Sequence, residues 1–141
     1  MPQEPILAPM GALALWTFLV LLLIPIRRFR AAFGGTVGQD DFKYGESSRV
    51  PGEVSIPNRN YMNLLELPVL FYAICLIALQ TGEAAGLVVQ LAWAYVGLRV
   101  LHSLIHLTYN KVMHRLTLFA LSNVTVITMW VVVYFPQVTG M

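Results

Sequence analysis

Charge is scarce in this sequence. Asp, Glu, Lys and Arg make up 11% of the 141 residues, against about a quarter in an ordinary soluble domain. Hydrophobic residues reach 57% and the mean hydropathy is +0.69. These values exclude a soluble globular domain and imply a membrane protein. The length is that of one domain. Cysteine is nearly absent: Cys75 stands alone inside the apolar run "LPVLFYAICLIAL". An intramolecular disulfide and a cysteine-built metal centre are thereby excluded, and Cys75 reads as a small buried hydrophobe. There is no internal repeat, no low-complexity tract, no phosphate loop and no nucleic-acid-binding module, so nucleic acid is not an expected partner. Nor does the N-terminus read as a cleaved signal. In "MPQEPILAPMGALALWTFLVLLLIPIRRFR" the basic residues follow the apolar run instead of preceding it, and the run exceeds a usual signal core.

What is present is four apolar runs, at about 6–27, 61–80, 84–109 and 116–136. Each is long enough to cross a hydrocarbon core. They predict an all-α membrane protein, a single four-helix transmembrane domain. Pro68 lies early in the second run, where it removes the donor to the Leu64 carbonyl and predicts a kink. The freed group is expected to be satisfied inside the protein. A long segment, 28–58, joins the first two spans, and its length points to function or disorder. The turns "QTGEAAG" and "NKVMH" join the rest.

The few cations are unevenly placed. Arg27, Arg28, Arg30, Lys43, Arg49 and Arg59 lie in or beside the first loop, and Lys111 and Arg115 in or beside the third. The N-terminal tail, the second loop and the C-terminal tail hold no lysine or arginine. The positive-inside rule then predicts loops 28–58 and 110–115 in the cytoplasm and both termini outside. It also brings the polar residues of all four helices to one leaflet. For Arg28 and Arg30 the expected role is topology and headgroup contact.

Two polar stripes stand out. Arg59, Asn63 and Glu66 share one face of the second helix at i, i+4 and i+7. Tyr95, Arg99, His102, His106 and Asn110 share a face of the third, with Ser103 at its edge. One charge at mid-helix costs roughly 2.5–3.5 kcal/mol on insertion scales, so the stripes should face each other or an aqueous cavity. The simplest pairing is Glu66 with Arg99. A structural ion pair with hydrogen-bonded neighbours explains part of this pattern. It leaves an excess of cations, which suggests a pocket for an anionic ligand whose carboxylates suit guanidinium forks. His102 and His106 form an i, i+4 pair that Glu66 could join around a metal, but no further acidic ligand and no HExxH context supports a metal site. Trp16, Trp93, Trp130 and Tyr134 read as lipid-facing or packing aromatics.

Asn63-x-x-Glu66 on the second span, Arg99-x-x-His102-x-x-x-His106 on the third and Arg115 opening the fourth resemble the MAPEG family, the membrane-associated proteins of eicosanoid and glutathione metabolism. The resemblance covers essentially the whole chain and is similar to bacterial members. It implies a homotrimer in a bacterial inner membrane, with glutathione as co-substrate between subunits near the cytoplasmic leaflet and a lipophilic small molecule as substrate. It further implies that Arg27 contacts glutathione from the adjacent subunit and that Arg59, Asn63 and Glu66 contact it from the second helix. The resemblance also implies that Arg99 partners the glutamate, that His102 and His106 line the site, and that Arg115 stabilises the thiolate as the catalytic residue of a transferase or peroxidase. His106 stands where the family usually has tyrosine, Leu116 where one branch has serine, and Phe119 replaces another tyrosine. Two other functions stay open: a non-catalytic lipid- or ligand-binding scaffold, and a small transport or proton-relay protein using Glu66, His102 and His106.

Overall fold

A computed structural model describes residues 4–141. The chain folds into α1 (Leu7–Phe33), α2 (Gly52–Leu65), α3 (Pro68–Thr81), α4 (Leu87–Leu107) and α5 (Val112–Thr139). A single 3-10 turn (Gln39–Phe42) interrupts the α1–α2 connection. No β-strand occurs among the described residues, only an isolated bridge between Lys43 and Gly45. α1, the pair α2–α3, α4 and α5 are each long and apolar enough to cross a membrane, so the four crossings read from the sequence are present.

Each helix buries one seam. Leu13, Thr17, Val20 and Ile24 on α1, and Ser122, Val126, Met129 and Val133 on α5, recur at three- and four-residue steps. That spacing keeps a stripe on one helical face. The opposite faces are equally apolar: Phe18 and Ile127 are 61% and 60% exposed. Leucines and phenylalanines pointing outward all round a bundle face lipid, where no hydrophobic force separates inside from outside. Cohesion then comes from close packing and interhelical hydrogen bonds. Cys75 is fully buried in the α3 seam, and Trp130 donates to the Leu70 carbonyl at 3.2 Å, tying α5 to α3.

The α1–α2 connection is shorter than the sequence suggested. α1 continues through the arginines to Phe33 and α2 begins at Gly52, leaving residues 34–51 instead of 28–58. Arg27, Arg28 and Arg30 end the apolar run but are good helix formers, so the helix outlasts the span. The connection is compact. The Asp41 carboxylate accepts the Gly38 N–H at 2.7 Å and the Ser47 hydroxyl at 2.7 Å, and the Ser47 N–H bonds the Asp41 carbonyl at 2.8 Å. These donors, led by Gly38 and Ser47 and helped by the Arg49 charge, hold the carboxyl below its ordinary value of 3.8. A depressed carboxylate stabilises the folded loop above its unfolded pKa, and that contribution is lost as pH falls through the lower folded value. Asp41→Asn is therefore expected to open residues 36–50 to protease at neutral pH, a change wild type shows only on acidification below the usual carboxylate range. Equal cleavage of the two proteins at neutral pH would contradict the latch.

The second crossing is broken, not merely kinked. α2 stops at Leu65, Glu66 adopts ψ −98°, and α3 restarts at Pro68. The Val69 and Leu70 N–H groups bond back to Glu66 and Leu67 at 3.2 and 2.9 Å, a tighter turn than an α-helix makes. Proline at the first position of a helix is well placed because its missing N–H is not needed there. Gly82 at φ +79° then closes α3, its left-handed conformation letting the Glu83 N–H reach the Ala78 carbonyl at 2.9 Å.

Candidate functional site

The site is built on α4. Its buried face carries Tyr95, Arg99, His102, Ser103 and His106, so the polar stripe turns inward, as the cost of exposing it to lipid requires. Arg99 and Ser103 are completely buried. The partners come from α2. Asn60 Nδ2 donates to Ser103 Oγ at 2.5 Å and to the Ser103 carbonyl at 3.3 Å. One turn on, Arg99 Nη2 donates to the Asn63 carbonyl at 3.0 Å and to Asn63 Oδ1. The break at Glu66–Leu67 makes this geometry available: carbonyls near the end of α2 lack their usual downstream donors, and a guanidinium from α4 caps one of them.

α5 supplies the third wall. The four residues 108–111 reverse the chain. Asn110 takes φ 51°, a left-handed conformation to which asparagine is better suited than most residues. Its N–H closes α4 on the Ile105 carbonyl at 2.8 Å, and its Oδ1 accepts from Arg115 Nη1. Arg115 is thereby fixed one turn into α5. Phe119, a further turn along, lies with its ring centroid 6.0 Å from that of His102 and 5.6 Å from the Arg99 guanidinium carbon. Asn63, His102, Val112, Arg115, Leu116 and Phe119 line a cavity of about 220 Å³.

Of the residues singled out in the sequence, Asn63, Arg99, His102 and Arg115 are brought together. His106 is buried beside them, its ring 6.1 Å from that of His102. Three stand apart. The expected Glu66–Arg99 ion pair is not formed: Arg99 bonds Asn63, Glu66 is exposed, and Arg28–Glu46 is the single ion pair among the described residues. The i, i+4, i+7 projection holds only while the helix continues, and Glu66 is the first residue past its end. Arg59 is exposed. Arg27 lies at another face, donating to the Glu53 carbonyl at 3.3 Å and lining a cleft of about 150 Å³ with Pro57, Leu107 and Thr108. Asn110 sits in the turn instead of on the helical stripe. Glu66 does not join the histidines, and no three His, Cys, Asp or Glu side chains gather among the described residues.

Asn60 is the residue the stripes overlooked. Its signal was its place in the buried seam Val54, Pro57, Asn60, Leu64, where one amide interrupts apolar neighbours as register-setting asparagines do. Asn60→Ala is expected to lower stability by about 0.6 to 1.7 kcal/mol, the range of interhelical hydrogen bonds in membranes, measured by denaturant titration in detergent micelles. A cost of zero would show that Ser103 finds another partner.

The electrostatics of the cluster are lopsided. Arg99 Nε and Nη1, Arg115 Nε and His106 Nδ1 are buried without a hydrogen-bond partner. Among the described residues no carboxylate forms an ion pair with either arginine. Guanidinium donors are poorly tolerated in this state unless an acceptor arrives. The arrangement can accept a carboxylate, or an anionic sulfur close to Arg115.

A model described as the MAPEG family matches residues 6–135 of the chain. No curated protein and no solved structure shows a match.

Proposed function

The chain belongs to the MAPEG family of membrane proteins, and on that premise we propose that it is a glutathione-dependent transferase or peroxidase acting on lipophilic electrophiles. The observation that carries this reading is the arginine pair at the cavity: Arg115, half-buried on its wall, and Arg99, fully buried behind the wall residue Asn63, both keep N–H groups without a partner, and no acid lines the cavity. Glutathione brings two carboxylates, an ammonium and a thiol. The thiolate is the nucleophile, and a nearby guanidinium lowers the thiol pKa. Arg115 sits on the cavity wall to do so, while an electrophile dissolved in the bilayer reaches the sulfur past Leu116 and Phe119.

The binding residues left outside the protomer's cavity suit a site shared between copies in a homotrimer. Glu66 and Arg59 face outward, where Glu66 can receive the ammonium and Arg59 a carboxylate. Arg27 is at a different face and serves a neighbouring subunit's ligand. In this reading the cation-rich end of the bundle lies at the cytoplasmic leaflet of a bacterial inner membrane, with both termini outside.

The test is glutathione binding to the purified protein in detergent by equilibrium dialysis, followed by conjugation to a small aryl halide. Binding at millimolar concentration or tighter, with turnover, is expected. Failure to bind at millimolar glutathione would remove the proposal. Leu116 and Phe119 place no hydroxyl on the cavity wall, which favours a non-catalytic ligand-binding scaffold as the second reading. Binding without turnover selects it.

A further inference from the structure

A third arginine is partly covered in a different way. Arg28 is the twenty-second residue of α1, about 32 Å along the helix from Leu7 at the usual rise per residue. With Leu7 at one edge of a ~30 Å hydrocarbon core, Arg28 reaches headgroup depth at the other. A free interfacial arginine would extend into water there. Here the 34–51 knob folds over it. The guanidinium lies 4.6 Å from the centroid of the Phe42 ring, Nη2 is 3.4 Å from Glu46 Oε1, and Nε is buried with no partner. The knob is held in this position by the Asp41 bonds described above.

Between the knob and α1 runs a groove of about 620 Å³ lined by Ile24, Pro25, Arg28, Phe29, Gln39 and Phe42, among others. Its size is within the range of small-molecule sites, and its make-up is theirs: mostly apolar walls with few polar groups. None of the residues lining the 220 Å³ cavity lines this one. Its apolar floor continues outward: Phe29, Leu22 and Phe18 are 62%, 58% and 61% exposed and follow one another at four- and seven-residue steps down α1 toward the membrane centre. A cation at headgroup depth thus opens onto an apolar track that points into the bilayer. Glu46, the acid paired with Arg28, does not line the groove. The exposed Arg30 two residues on adds positive charge at the same end.

We propose that this groove is a binding site for an anionic phospholipid, its phosphate on Arg28 and Gln39 and one acyl chain along Phe29, Pro25 and Leu22. The occupant is argued from charge: the walls offer a guanidinium and an amide but no carboxylate. A zwitterionic lipid gains from the first half of that arrangement and finds no carboxylate on the groove wall for its ammonium.

The test uses native mass spectrometry of the full-length protein in neutral detergent, titrated with phosphatidylglycerol, phosphatidylcholine or phosphatidylethanolamine. Phosphatidylglycerol is expected to be retained at concentrations about tenfold lower than the other two, as a charge-assisted hydrogen bond allows. Arg28→Leu should erase that preference, Arg28→Lys should keep part of it, and Arg30→Leu should leave it nearly unchanged. Phe42→Leu, which keeps every charge, should weaken retention a few-fold and guards against a misfolded Arg28 variant. Helicity by circular dichroism is followed for each. An unchanged preference in Arg28→Leu would overturn the proposal. So would equal loss in Arg30→Leu, which would mean diffuse surface attraction. Equal retention of phosphatidylethanolamine, or full competition by glycerol phosphate at the same concentration, would also reject an anionic lipid as the occupant. Protection of a Phe29→Cys thiol from maleimide in lipid-free protein would show that a second copy fills the groove.

Discussion

Asn63→Ala is expected to destabilise the protein by about 1.5–3 kcal/mol, more than Arg99→Met does. The order is the reverse of what size suggests. Arg99 is completely buried, and a guanidinium stays charged in a protein interior. Its bonded donor, Nη2, relies on the Asn63 carbonyl and side chain. Removing the side-chain amide leaves a buried charge with half its support, and a hydrogen bond to a charged group is worth more than one between neutral groups. Arg99→Met removes the charge and keeps much of the volume, so the loss is limited to the cap on α2. Denaturant titration of the variants in one detergent gives the comparison. The double variant should lie close to Arg99→Met alone, because Asn63 has little to hold once the charge has gone. If Arg99→Met proves the more damaging, the bond is not what stabilises the α2–α4 contact.

The second large effect is kinetic. Arg115→Ala is expected to slow conjugation of an aryl halide by roughly 10²–10³-fold, the usual loss when one donor to a developing or resident anion is removed. Glutathione affinity should change much less, since Arg99 remains. The pH–rate profile separates stabilisation of the thiolate from simple misplacement. Without Arg115 the bound thiol returns toward the ordinary value of about 8.5, so the rising limb moves to higher pH, and Arg115→Lys recovers part of the shift. Arg115 is also gripped by Asn110, so Asn110→Ala is the control: it loosens the arginine while leaving its charge, and should lower the rate without moving the limb as far. Wild-type turnover in Arg115→Ala would sink the assignment.

Much of this was legible in the sequence for one reason: lipid imposes a single rule. The apolar runs marked four crossings, and the polar residues of the third had to turn inward, as Arg99, His102 and His106 do. Pro68 marked the interruption of the second crossing. Helix ends were less legible, because hydropathy records where the bilayer stops and not where hydrogen bonding stops. α1 therefore outlasts its apolar run through three arginines. The pairing of Glu66 with Arg99 failed for a related reason. A helical wheel assumes continuous α-geometry, but α2 ends at Leu65, and the Asn63 carbonyl near that end accepts from Arg99 where the Glu66 carboxylate was expected. Asn110 was placed on a stripe by the same assumption, one turn beyond where α4 stops. Asn60 lay in plain sight on an apolar seam, but its partner, Ser103, looks neutral in any listing of charge.

The broken second crossing has a consequence for how tightly an anion can be held. A long arginine side chain normally loses up to about 2 kcal/mol of rotamer freedom when it is immobilised, and a site that freezes its arginine on arrival of the ligand bears that loss in its affinity. Arg99 is already fixed when the helices pack, because Nη2 caps α2 at the break. Two of its nitrogens, Nε and Nη1, remain undischarged. The conformational entropy is spent during folding, so a bound carboxylate meets a guanidinium that has no freedom left to lose.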